Sequence, residues 1–172
     1  MERGKIARGK IARGKIPLER AQKVATAILK YLRSHCQKDK IEVVGSIRRR
    51  KAWVNDIDLV LIPNDLWELH NKIMGLGPVK MSGSKIVRVT VSGIQVDIYF
   101  ATEETWATLL LIRTGSAENN ILLATRAKKW GWHLAASGDG LFNEKGERVA
   151  GDSEKSIYQA LGLPYQAPWE RE

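Results

Sequence analysis

From Pro17 onward the apolar positions follow two rhythms, one near 3.6 residues and one of 2. Leu18, Ala21, Val24, Ala25, Ile28, Leu29 and Leu32 recur at helical spacing behind Pro17, which suits a first helical turn. The spacing predicts a helix running to about Cys36. A short strand over 41–44 should lead into Gly45-Ser46, where a helical turn begins. Residues 54–62 are apolar and β-branched and read as one strand. Asn64-Asp65 offers an N-cap for a helix through Leu76. Residues 85–91 and 94–100 read as strands flanking Ser92-Gly93, a tight hairpin signal.

The pattern changes after Phe100. Residues 103–113 and 117–130 read as helices interrupted by Thr114-Gly115-Ser116. Residues 133–142 hold two short strands around the turn Gly138-Asp139-Gly140. Ser153 and Glu154, followed by apolar Ile157 and Leu161, open a last short helix that Gly162 and Pro164 end. The predicted class is α+β: a mixed sheet with helices on one face, then a small helical unit with a short β-hairpin, divided near Thr102. Trp53, Trp67 and Trp106 are assigned to the core, and His35, His70 and His133 lack metal-ligand spacing.

The net charge is +9 over 172 residues. Residues 1–16 carry a Gly-Lys-Ile-Ala-Arg repeat with six basic side chains (Arg3, Lys5, Arg8, Lys10, Arg13, Lys15) against Glu2, which leaves +4 on the remainder. Such a segment is either a disordered arm that adds non-specific phosphate contacts or a duplicated start without a role. A basic body suits a polyanionic partner. The single Cys36 excludes an internal disulfide framework and suits a reducing, intracellular home. No apolar run reaches transmembrane length, so no membrane partner is expected. The basic start lacks the apolar stretch of a secretory signal.

Within that basic body three acids stand out. Asp56 and Asp58 lie two apart in the predicted strand, so they point to one face, where like charges repel unless a cation lies between them. Asp97, on the hairpin, is the natural third member of a divalent-metal site. Such a site suits phosphoryl chemistry, in which two metals about 4 Å apart hold the attacking and leaving oxygens. Upstream, Gly45 leaves room for close approach to phosphates, Ser46 offers a hydroxyl at a helix start, and Arg49 adds a charged fork.

Gly45-Ser46-Ile47-Arg48-Arg49, Asp56-Ile57-Asp58, Val96-Asp97-Ile98 and Thr114-Gly115-Ser116 together resemble the motif series of the family X DNA polymerases, the polymerase beta group of the nucleotidyltransferase superfamily. The tail from Leu161 to Tyr165, with Pro168 and Arg171-Glu172, extends the resemblance over roughly residues 17–172. Behind the basic arm (1–16), it implies a catalytic palm (17–102) and a C-terminal nucleotide-binding thumb/fingers subdomain (103–172). It implies Asp56, Asp58 and Asp97 as ligands of two Mg²⁺ ions, with Mn²⁺ able to substitute, and Asp97 as general base for the primer 3′-hydroxyl. Gly45, Ser46 and Arg49 match the triphosphate-binding positions. Gly115 and Ser116 match the sugar-side turn, and Asn120 matches a minor-groove contact to the incoming base.

The activity implied is template-directed DNA synthesis on primer–template or gapped DNA from deoxynucleoside triphosphates. The expected enzyme is a distributive, monomeric gap-filler of DNA repair, in a minimal form without lyase or nuclease domains. A template-independent nucleotidyltransferase and a non-catalytic DNA-binding protein are the alternatives. Arg126, Lys128 and Lys129, with Trp130 and Trp132, are candidate DNA contacts, although helix-end lysines and core tryptophans are the commoner explanation. Arg48 reads as a salt-bridge partner. Four residues depart from the family pattern: Ile112-Arg113 replaces an aromatic pair, Ala124 a basic residue, and Arg50 a glycine. Looser sugar and base selection follows as an expectation, with Arg113 as a phosphate contact.

Overall fold

The computed structural model describes residues 14–172. Most of the basic repeat lies outside them, so the expected disorder of that arm concerns residues that are not described. Ile16–Pro17 (β1) precedes helix α1, Leu18–Leu32. Pro17 is the N-cap of α1 rather than its first turn. Ile16 pairs with Val54, so the chain just before α1 is tied to the body. The helix ends earlier than its apolar spacing suggests. A 3₁₀ turn over Arg33–His35 follows, and Cys36 already opens β2, Cys36–Val44.

Next come the one-turn helix α2 (Gly45–Arg48), β3 (Trp53–Val54), β4 (Ile57–Pro63), α3 (Leu66–Met74), β5 (Val79–Ser82), β6 (Ile86–Val91) and β7 (Ile94–Phe100). The expected single strand over 54–62 is broken at Asn55-Asp56. Val54 turns away to pair with Ile16, and β4 begins only at Ile57. Asp65 caps α3 by accepting from the Glu68 N–H at 2.8 Å. Ser92 and Gly93 take left-handed φ of 51° and 75°, which closes the β6–β7 hairpin with Val91 opposite Ile94.

The main sheet has the order β2-β4-β7-β6-β5, with β4 and β7 parallel and the other pairs antiparallel. Strand alternation sorts its two faces. Ile57, Leu59 and Leu61 of β4, Val96 and Ile98 of β7, and Val87 and Val89 of β6 point to one side. There they bury against Ala21, Ala25, Ile28 and Leu32 of α1 and Leu69 and Ile73 of α3. Val44, Val60 and Ile62 point to the other side.

The chain continues as α4 (Trp106–Thr114), α5 (Ala117–Lys129), β8 (His133–Ala135), β9 (Gly140–Phe142), β10 (Arg148–Ala150) and α6 (Glu154–Ala160). Leu109 and Leu110 of α4 pack on Val44, Val60 and Ile62, so the second sheet face is partly covered as well. The expected hairpin is a three-stranded sheet, β10-β9-β8. Leu111, Leu123, Leu141, Ile157, Tyr158 and Leu161 form a separate core around it. Trp106 packs where predicted. Trp53 and Trp67 do not: they are 41% and 75% exposed. Trp67 follows Leu66 on the solvent side of α3, whose buried stripe is Leu69 and Ile73.

Candidate active site

The parallel register of β4 and β7 sets Asp58 directly opposite Asp97. Adjacent strands lie about 4.8 Å apart, so the two carboxylates share a row of the sheet. The row continues on both sides: Val44 of β2 pairs with Asp58, and Arg88 of β6 pairs with Asp97. Asp56 stands at the mouth of β4, two residues before Asp58. The three acids therefore gather on the α4 side of the sheet, as their spacing predicts, although Asp56 precedes the strand rather than lying within it.

Electrostatics distinguish the three. Burial first, then the charges of Asp56 and Asp97, push Asp58 up to about 7 against the opposing pull of Arg113 and Arg49. Burial and then Asp97 also raise Asp56, with Arg88 opposing. Asp97 is 4% exposed, and Arg88 clamps both its oxygens, from Nε at 2.7 Å and from Nη2 at 3.0 Å. That bidentate fork is absent from the sequence expectations. Among the described residues no three His, Cys, Asp or Glu side chains stand as a ready-made metal cluster.

The donor chemistry nonetheless fits a divalent cation. Two crowded carboxylates, Asp56 and Asp58, both driven towards protonation by burial and by the charge of neighbouring carboxylates, are what a hard cation relieves. A carboxylate has about four lone-pair sites, so Arg88 leaves Asp97 free acceptor capacity on each oxygen.

Gly45 opens α2 with φ of 65°, and a Cβ there would collide with Asp58 Oδ2. The glycine is thus needed both for its conformation and for its closeness to the acid. Ser46 and Arg49 line a cavity of about 400 Å³ together with Lys15, Lys51, Trp53 and Asn55. The cavity adjoins Asp56 through Asn55. Lys15 and Lys51 are absent from the candidate residues drawn from sequence. Their place beside Ser46 depends on the β1–β3 pairing and on the turn after α2, which leave little trace in hydrophobic periodicity. The Arg49 guanidinium also donates through Nη1 to the Thr114 carbonyl. A Cβ on Gly115 would lie 3.1 Å from Arg49 Nη1, so the Thr114-Gly115-Ser116 turn and the Gly45–Arg49 segment meet face to face.

Ser116 caps α5, its Oγ accepting from the Asn119 N–H at 3.2 Å. Asn120 donates from Nδ2 to the Ile112 carbonyl at 2.9 Å. Arg113, at the end of α4, stacks over the Tyr99 ring at 4.2 Å. Arg49 Nε, Arg113 Nε and Asn120 Oδ1 are buried without partners. Buried polar atoms are rarely left so, and Arg49 and Arg113 both lie within electrostatic reach of Asp58. On its far side a second cavity of about 200 Å³ opens between Tyr99, Arg113 and Lys85 and the Ala136-Ser137 loop.

The remaining candidates lie apart from this site. Arg126 donates to the Leu161 carbonyl at 3.0 Å and stacks on Trp130, while Lys128 and Lys129 are exposed at the end of α5. Arg48 is a structural partner, as expected. It donates to Glu154 from Nη1 and Nη2, both at 2.8 Å, and from Nη1 to Thr114 Oγ1 at 2.9 Å.

Comparison with known proteins adds two findings. The family description of the DNA polymerase beta thumb matches residues 109–172. Over 162 residues, 91% of this chain, the sequence is 30% identical to the DNA polymerase/3′-5′ exonuclease PolX of Bacillus subtilis (strain 168). The chain spans 28% of that relative's length. None of the described helices is long and apolar enough to cross a membrane.

Proposed function

This chain belongs to the family X DNA polymerases, and from that premise we propose that it carries a nucleotidyl-transfer site that extends a DNA primer by template-directed addition of deoxynucleotides. The observation that carries the proposal is the Asp58–Asp97 row, with Asp56 beside it and the Ser46–Arg49 cavity adjoining. Residues 17–102 act as the palm and residues 103–172 as the nucleotide-binding subdomain.

Asp56, Asp58 and Asp97 would hold two divalent ions, Mg²⁺ with Mn²⁺ as substitute. The bound ions supply charge neutralisation for the attacking oxygen and the departing pyrophosphate. The protein's own groups do the positioning. Ser46, Arg49 and Lys15 receive the triphosphate in the basic cavity. Gly115, Ser116 and Asn120 face the sugar and base, with the free Oδ1 of Asn120 available to a donor on the nucleotide. Asp97 accepts the proton of the primer 3′-hydroxyl on a carboxylate oxygen, while Arg88 fixes that carboxylate in place. The primer end enters from the Tyr99–Arg113 side, and duplex DNA meets Lys128 and Lys129.

Distributive filling of short gaps is the physiological task that suits this arrangement. Primer extension tests the proposal, with each nucleotide offered alone against each template base, on gapped and on single-stranded substrates. The account expects incorporation of the complementary nucleotide, strongest on the gapped substrate. Incorporation that ignores the template base would replace it with template-independent transfer.

A further inference from the structure

The basic run of the α2 segment does not end at Arg49. Arg50 and Lys51 follow, and both are engaged by the last residues of the chain. Arg50 stacks over the Trp169 ring at 3.8 Å. Lys51 lines the phosphate cavity, and its ammonium is paired with the Glu172 carboxylate. Between these two contacts Arg171 is wholly buried. It donates to Glu154 Oε1 at 2.9 Å and to the Gln166 carbonyl at 3.0 Å. The tail is thus pinned at Trp169 and Arg171, and Glu172 is delivered to the cavity rim. Lys51, and to a smaller extent Arg49, hold its carboxyl below the usual range. The acid therefore stands in the field of two cations that line the cavity.

We infer that Glu172 is a built-in placeholder anion: it occupies Lys51 while the cavity is free of phosphate, and Lys51 becomes a further polyphosphate contact once Glu172 is displaced. The inference rests on the assignment of this cavity to the triphosphate. The energetics favour exchange. Lys51 and Glu172 side chains are 35% and 74% exposed, and exposed ion pairs are weak because water screens them. A triphosphate brings several negative charges to the same ammonium and engages Arg49 and Lys15 at the same time, so it outcompetes a single carboxylate. The tail can let go of Lys51 without unfolding, because Trp169 and Arg171 remain anchored.

Isothermal titration of the full chain with inorganic tripolyphosphate, without divalent ions, tests this. Glu172→Gln should tighten binding about two- to five-fold, the factor expected for loss of one exposed ionic competitor. Lys51→Gln should weaken binding, and in that background the gain from Glu172→Gln should fall to less than half. Glu170→Gln removes the same unit of charge two residues earlier, at a group that accepts from the Ala167 N–H at 2.7 Å; it should leave affinity unchanged. An unchanged affinity in Glu172→Gln, an equal gain with and without Lys51, or an equal gain from Glu170→Gln would overturn the placeholder role. It would leave the cavity's assignment intact. Failure of the unaltered chain to bind tripolyphosphate would overturn both.

Discussion

Asp58 sits where burial and two neighbouring carboxylates act in the same direction, and that has a measurable consequence. In the unfolded chain it titrates near its ordinary value of 3.8; in the folded, cation-free protein it does so at about 7. Between those values the folded state binds more protons, so stability falls as pH rises from about 4 to 7. The size is of the order of a few kcal/mol. Thermal unfolding in chelator should show this fall, Asp58→Asn should flatten it, and a wild-type Tm that rises through that window would contradict the electrostatics. Arg88 acts through Asp97. Removing an orienting partner of a ligand costs roughly 10–100-fold in metal affinity or activity, so Arg88→Met should lower turnover by that order while the fold persists. An unchanged kcat would show that Asp97 needs no orientation from Arg88. The pairing was available to sequence reasoning. With Ser92-Gly93 as a two-residue turn, counting outward from Val91 opposite Ile94 brings Arg88 opposite Asp97.

At the level of elements, the strands bearing the acids were legible because alternation and a hairpin signal coincide in residues 85–100. The break at Asn55-Asp56 was not. Val54 and Ile57 are both buried and apolar, and only the distant pairing of Val54 with Ile16 separates them. Strands β5 and β10 were also missed. Each is short and mostly exposed: Val79–Ser82 alternates apolar and polar residues over only four positions, and Arg148–Ala150 is three residues long. The contact between the Gly45–Arg49 segment and α6 was unreadable for a different reason, since Arg48 and Glu154 lie 106 residues apart in sequence. Glu154 ties α6 to the Gly45–Arg49 segment. Burial pushes its carboxyl up, but Arg48 and then Arg171 hold it below the usual range. Glu154→Ala would leave fully buried Arg171 without that partner. Breaking such a buried pair costs about 3–5 kcal/mol, so the denaturant midpoint should drop clearly. A loss below about 1 kcal/mol, the scale of exposed pairs, would show that the junction contributes little.

For the whole molecule, α1 and α3 brace one face of the sheet and leave the acids on the other, at the meeting of the two units. The Ser46–Arg49 cavity, the Thr114-Gly115-Ser116 turn and the acid row are therefore set by packing that spans the chain. Local motifs named the residues, but only the assembled sheet and the α4–α5 corner bring Arg49, Asp58 and Arg113 within reach of one another. The most direct measurement is Mn²⁺ binding followed by electron paramagnetic resonance, with a non-hydrolysable deoxynucleoside triphosphate present. The unaltered chain should bind two ions, and Asp58→Asn should lose at least one of them while retaining its fold. A chain that binds no Mn²⁺, or that binds equally well after Asp58→Asn and Asp97→Asn, would contradict a shared carboxylate site.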